Sequence, residues 1–277
     1  DKRVEDGEKL AQMAEVCLED YIESDPLTGI RKEDPEKRKN RIEAAEDYAR
    51  SALYNDPDEL NYYLLLATIQ ENRGHHRRAR NTLLRALNPG GEDTSDDANL
   101  LRRLGMNAYT LGDHEEALLF LDGSYSIDPE EPETIEFLGH VHTKIGNYAE
   151  ALGYLRRAEL IMDPACPIYT SIGECYLRLN DLQNALLYFT AAVVLDNLSV
   201  DALYGLAESQ TRLGMLKEAF CTIESASEID NRRGGSDNQI RSNPKIDLLR
   251  MNLTFCRNMG SFPIRILDFE KHGKQRR

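Results

Sequence analysis

The chain has 277 residues, of which 41% are apolar, 30% charged and 7% aromatic, and 48 acidic against 34 basic residues give a formal net charge of −14. That balance supports a continuous core under a mostly helical surface. It also repels a phosphate backbone, which argues against nucleic acid as the main ligand outside the basic cluster of Lys271, Lys274, Arg276 and Arg277.

Cys17, Cys166, Cys175, Cys221 and Cys256 are odd in number, widely spaced and set in apolar helical contexts. They read as reduced core thiols of an intracellular protein, cytoplasmic or nuclear. No apolar run matches a bilayer span and no leader pattern opens the chain, so neither a membrane segment nor a signal peptide is expected. A start at Asp1 without Met is compatible with a segment of a longer protein.

Leu10 to Ile22 is predicted as a first helix. The charged stretch 23–40, with Asp25-Pro26 and Asp34-Pro35, is too long for a standard turn and is expected to be an exposed insertion whose deletion costs little stability. Ala45, Ala49 and Ala52, closed by Pro57, mark a second helix, which makes 1–57 a divergent helix pair. Tyr63, Leu66, Ala67, Gly74, Ala79, Leu83 and Ala86 set a frame that recurs through residue 231, with Gly90 to Asp97 absorbing four extra residues.

From residue 98 the period is plain. Gly105, Gly139, Gly173 and Ala207 step by 34, as do Gly112, Gly146, Asn180 and Gly214, and Ala117, Ala151, Ala185 and Ala219. Ser124, Ala158, Ala192 and Ala226 form a fourth register. Each unit is predicted as two helices: the first stops at a Gly or Asn able to adopt the left-handed conformation, and the second buries an i, i+4, i+7 stripe. Residues 60–231 therefore hold five units. Residues 232–244 are expected to be a loop, 245–260 a capping helix or the start of a further unit with Ile246, Leu249, Leu253 and Cys256 on one face, and 261–277 a tail.

The frame L-G-x-x-A-Y-x-x-G-D-x-x-E-A-L at Leu104 to Leu118, repeated from Leu138 to Leu152, resembles the tetratricopeptide repeat. The resemblance implies an all-α, right-handed superhelical solenoid of about six helix-turn-helix repeats plus a C-terminal helix. It also implies a concave groove lined by the first helix of each repeat. By phase, that groove holds Arg102, Glu136, Thr170 and Tyr204; Thr68, Met106, His140, Glu174 and Glu208; and Lys144, Arg178 and Arg212, joined by Tyr109. Each of these taken singly also reads as part of a solvated helix face.

No nucleophile-elbow, phosphate-loop or zinc-protease motif is present, and His140 and His142, two apart on a helix, do not face one ion. No enzyme activity, cofactor or metal is therefore expected. The function implied is a protein–protein interaction scaffold that binds partner subunits or peptides. One branch of the family grips chaperone C-terminal carboxylates through Asn and Lys; Met106, His140, Glu174 and Glu208 at the Asn phase depart from that pattern. Leu104 to Leu195 is also similar to acidic chaperones of type III secretion, which leaves a chaperone or adaptor as an alternative, beside the recognition arm of a larger catalytic protein. Arg178 and Arg212 are expected to contact partners, so that reversing both charges weakens binding without changing melting.

Overall fold

The computed structural model describes residues 2–23, 35–87, 97–233 and 244–259, with the side chains of 35, 232–233 and 255–259 also left aside. Among them are thirteen α-helices and no strand, the all-α class expected. None of these helices is long and apolar enough to cross a membrane. The chain forms two compact units, residues 1–145 and 146–277.

The first unit contains α1 (Lys2–Glu23), α2 (Pro35–Asn55), α3 (Leu60–Asn72), α4 (His76–Arg85), α5 (Ala98–Leu111), α6 (His114–Ile127) and α7 (Pro132–Ile145). α1 meets α2 through small side chains, Ala11 and Ala14 against a row of Ala45, Ala49 and Ala52, all of which are buried. Leu18, Ile42 and Leu53 are buried beside these small residues, and Tyr62, Tyr63, Leu66 and Leu83 extend the same apolar cluster across α3 and α4. The second unit contains α8 (Tyr148–Ile161), α9 (Cys166–Arg178), α10 (Leu182–Leu195), α11 (Val200–Arg212), α12 (Leu216–Arg233) and α13 (Pro244–Met259). Ile246 and Leu253 of α13 join the core that Ala219, Ile223 and Ala226 of α12 build.

Every stripe residue of the second helices is buried: Ala117, Leu121 and Ser124; Ala151, Leu155 and Ala158; Ala185, Phe189 and Ala192; Ala219, Ile223 and Ala226. Ser124 occupies a register otherwise held by Ala. Its hydroxyl donates to the Ala98 carbonyl at 2.9 Å and lies 3.1 Å from Thr134 Oγ1, so the extra polar atom is satisfied from both neighbouring helices. The turns behave as their sequence requires, with Gly74, Gly112, Gly146, Gly214 and Asn180 all at positive φ. Asp97 and Asp181 cap the following helices by accepting from the Leu100 and Asn184 amides, at 2.7 and 3.2 Å.

Two boundaries differ from expectation. Residues 35–40, expected as part of the connector, are the first turns of α2, and α12 and α13 extend into both ends of the expected 232–244 loop. Pro35 and Pro244 each open a helix, because in the first turn a missing N–H costs nothing and the fixed φ suits the helix. Nothing before Gly234 breaks α12. Residues 24–34, the tail 261–277 and the Cys256 side chain lie outside the described residues. Of the other cysteines, all free thiols, Cys175 is buried, Cys17 and Cys166 are half-buried, and Cys221 is exposed rather than in the core.

Phe189 of α10 is the largest knob in these stripes, and it is wedged against two glycines. A Cβ on Gly173 of α9 would lie 3.1 Å from its ring, and one on Gly205 of α11 would lie 2.6 Å from Phe189 Cδ1 with other ring atoms closer still. The Gly205 phase holds Arg103, Phe137 and Ser171 in the other units, so glycine here compensates for the large ring. Gly205→Ala is expected to lower stability by about 1–2 kcal/mol, overpacking outweighing the gain in helix propensity. Thermal melting checks this, and adding Phe189→Leu should recover part of the loss.

Candidate functional site

The first helices of consecutive pairs touch one another, α1 with α3, α5 with α7 and α9 with α11, so their side chains form a face of their own in each unit. In the first unit the α3 and α5 parts of that face are tied by Arg103. Its Nη2 donates to Thr68 Oγ1 at 3.0 Å and to Glu71 Oε2 at 2.8 Å, and Asn107 Nδ2 donates to Glu71 Oε1 at 3.2 Å. Asn107 is buried, with its carbonyl oxygen unbonded among the described residues. Arg102 points differently: it pairs with Glu133 of α7, donates to Asn99 Oδ1 at 2.7 Å and sits 3.9 Å from Met106 Sδ. Burial pulls its guanidinium below the usual range, and Glu131 partly opposes the shift.

Tyr109, Phe137, His140 and His114 form a ring cluster beside these groups. Tyr109 stacks on His140 at 6.2 Å between centroids, while Phe137 meets both rings edge-on at 5.7 and 5.9 Å. His140 is buried, and its Nε2 lies 3.2 Å from Glu136 Oε1. The sequence places His140 in the groove by phase; in the structure its ring is packed within the cluster. His142 is buried too, whereas Met106 is half-buried and Lys144 exposed.

In the second unit, Glu174 and Arg178 of α9 lie 3.9 Å apart, and Glu208 and Arg212 of α11 lie 2.6 Å apart. Arg212 Nη1 also donates to the Leu177 carbonyl at 3.3 Å, bridging the two helices. Tyr204 is held between these groups. Burial first, then the Glu208 carboxylate that it hydrogen-bonds, push its phenol up to about 12, and Arg178 and Arg212 pull the other way. Thr170 Oγ1 donates to the Cys166 carbonyl at 2.8 Å on its own helix.

In the predicted columns Glu174 with Arg178 and Glu208 with Arg212 therefore pair at i, i+4 on their own helices, whereas Arg102 reaches Glu133 of another helix. Arg103, Asn107, Glu71 and Phe137 are the residues of this face that sequence phase did not select. Asn107 had a legible signal: it is the amide in a register shared with Val141, Cys175 and Ser209. Among the described residues there is no group of three side chains suited to a metal ion.

The inter-helix bridge also changes the expectation for Arg178 and Arg212. Replacing both by Glu would set new carboxylates beside Glu174 and Glu208 and remove the bond to Leu177. The double substitution is expected to cost about 1–3 kcal/mol, at the lower end given partial solvent screening, and to lower the melting temperature instead of leaving it unchanged. Tyr204 gives a second expectation. Below pH 10 the phenol is neutral in folded and unfolded chains alike; between 10 and about 12 the unfolded chain ionises first, so stability falls as pH rises through that window. Alkaline melts of the chain and of Tyr204→Phe check this, the variant losing less over the same range.

Two tetratricopeptide repeat profiles match the chain, one over residues 64–132 and 171–231 and the other over 134–167. A human protein, cell division cycle protein 16 homolog, is 31% identical over 108 residues, which is 35% of this chain and 17% of that protein. The chain thus spans under a fifth of the length of that relative. Among solved structures, the APC/C hetero-tetramer Cut9–Hcn1 superposes over 78% of this chain and 40% of its own, with TM-score 0.64 and 17% identity. YrrB, described as a repeat protein of this kind with an unusual peptide-binding site, covers 75% of this chain and 97% of its own, with TM-score 0.53 and 19% identity.

Proposed function

Since the chain belongs to the tetratricopeptide repeat family, we propose that it is a non-catalytic scaffold that holds partner chains, as subunits of an assembly or as peptides, on the first-helix face of its units. The observation that carries this reading is the internal pairing of that face. Arg102 with Glu133, Glu174 with Arg178 and Glu208 with Arg212 settle their charges within the chain, and Glu136 Oε1 lies 3.2 Å from His140 Nε2. What is left for a partner is shape and apolar contact, with Met106, Tyr109 and Tyr204 as anchors and the exposed Lys144 near the end of α7.

Support comes from the stretch similar to cell division cycle protein 16 homolog, from the shared fold of the Cut9–Hcn1 hetero-tetramer and from the peptide-binding description of YrrB. A partner that lies along several first helices would be read by a few anchors and tolerated elsewhere. Free thiols at Cys17, Cys166, Cys175 and Cys221 support action inside the cell, cytoplasmic or nuclear.

Affinity purification of the chain from its native cells, read by mass spectrometry, tests the proposal. Met106→Glu with Lys144→Glu is expected to reduce stoichiometric partners about tenfold or more, the loss equivalent to one or two anchors. Leu160→Glu, at a residue 84% exposed on α8, should leave them in place. Equal recovery with all three baits would remove the first-helix face of the first unit from the proposal.

A further inference from the structure

α4 is chemically unlike the rest of this acidic chain: its ten residues include Arg77, Arg78, Arg80 and Arg85 and no acid. Ala79, Thr82 and Leu83 turn inward, while Arg77, Arg78, Asn81 and Arg85 are exposed. Among the described residues only Arg80 is committed to acids, Glu116 and Asp113.

Between α4, the end of α2 and α3 lies a cleft of about 640 Å³, floored by Leu53, Pro57 and Leu66 and rimmed by Arg50, Arg78 and Arg85. The buried bond from Thr82 Oγ1 to Gln70 Oε1, 2.9 Å, closes its base. Tyr54 stands at the cleft with 87% of its surface exposed, an unusual degree for a large aromatic side chain. Among the described residues no carboxylate lines the cleft. Arg50 is held by Glu46 and Arg85 lies 5.8 Å from the Tyr63 ring, but the Arg78 guanidinium has no ion pair or hydrogen bond among the described residues, where only the Arg78 backbone is bonded, to Thr82 and His75.

We propose that this cleft is a second docking site, which takes an acidic peptide of another protein with one apolar side chain seated against Tyr54 over the Leu53–Leu66 floor. Charge complementarity selects the occupant. Arg50 is paired with Glu46, but among the described residues Arg78 and Arg85 meet no carboxylate and offer planar donors to acids; Leu53 and Leu66 are nearly buried already, so the apolar surface left to cover is chiefly the exposed Tyr54 ring. A polyphosphate chain would meet the cations, yet it would leave the Tyr54 ring uncovered and feel the −14 net charge of the chain. The site uses α2, α3 and α4 residues distinct from the anchors of the first-helix face, so it goes beyond the function proposed above and can fail independently of it.

The test is fluorescence anisotropy of a fluorescein-labelled peptide in which Asp and Glu flank a single Leu, titrated with the whole chain. Expected are saturable binding that weakens with salt, at least a tenfold loss with Arg78→Ser plus Arg85→Ser, and a similar loss with Tyr54→Ala or when the peptide Leu becomes Ser. Met106→Glu with Lys144→Glu should retain full affinity. Melting curves matched to the parent confirm that the variants, all at exposed or half-exposed positions, fold. An absence of saturable binding, equal affinity for the Leu-free peptide, equal affinity after the double Arg substitution, or tighter binding of a uridine-rich RNA would each overturn the proposal. So would a dimer in sedimentation that the double substitution dissolves, which would assign the cleft to a second copy of the chain.

Discussion

The close approach of neighbouring helices is the constraint on which the remaining structure depends. Helices about 8–10 Å apart leave room for side chains of limited combined volume at each crossing, and this chain meets that limit with small residues at fixed registers. Where Leu121 is the knob, Gly105 alone gives way: a Cβ there would come within 2.9 Å of Leu121 Cδ2. Where the knob is Phe189, the space has to come from two helices, Gly173 on one side and Gly205 on the other. The burial of the whole stripe then follows, as does the exposure of the first-helix side chains that have no place in it. A repeat of this kind divides its residues into those that set spacing and those left over, and the candidate binding surfaces are drawn from the second set.

Much of the division was legible in the sequence because spacing residues recur. The registers of Ala117, Ser124 and Gly112 were recoverable from their period, and each has a physical role in the structure: a close contact, a satisfied stripe position and a left-handed turn. The helix starts at Pro35 and Pro244 were harder to see, since proline signals either a break or a first turn and only the following residues decide which. Residue pairing was the least visible. The sequence shows that Glu174, Arg178, Glu208 and Arg212 share a face, but not that Arg212 reaches across to the Leu177 carbonyl. Phase assigns His140 to an open groove, while the Tyr109 and Phe137 rings that enclose it come from separate helices. Side-chain direction across a helix interface is a tertiary property, and periodicity says little about it.

The two surfaces differ in their electrostatic character for a simple reason. On α9 and α11, Glu174 with Arg178 and Glu208 with Arg212 sit one turn apart and pair with each other before any partner arrives. On α4, arginines occupy exposed positions with no acid among them, and among the described residues only Arg80 finds carboxylates, on the next helix pair. A face with its charges already paired favours recognition by contour, whereas an unneutralised rim speeds encounter with oppositely charged chains. On the two proposals, a shape-dependent face recurs in both units, while the charge-dependent cleft belongs to the first alone.

The adjacency of packed helices has a kinetic consequence. Apart from α1 and α2, whose connector spans residues 24–34, helix pairs in extensive contact, such as α5 with α6 and α9 with α10, are separated in sequence by turns of a few residues. Closing such short loops costs little chain entropy, and folds dominated by local contacts order quickly. During synthesis, each pair can assemble soon after its second helix leaves the ribosome, without waiting for distant segments. Growth is then by accretion, each completed pair offering the template on which the next condenses.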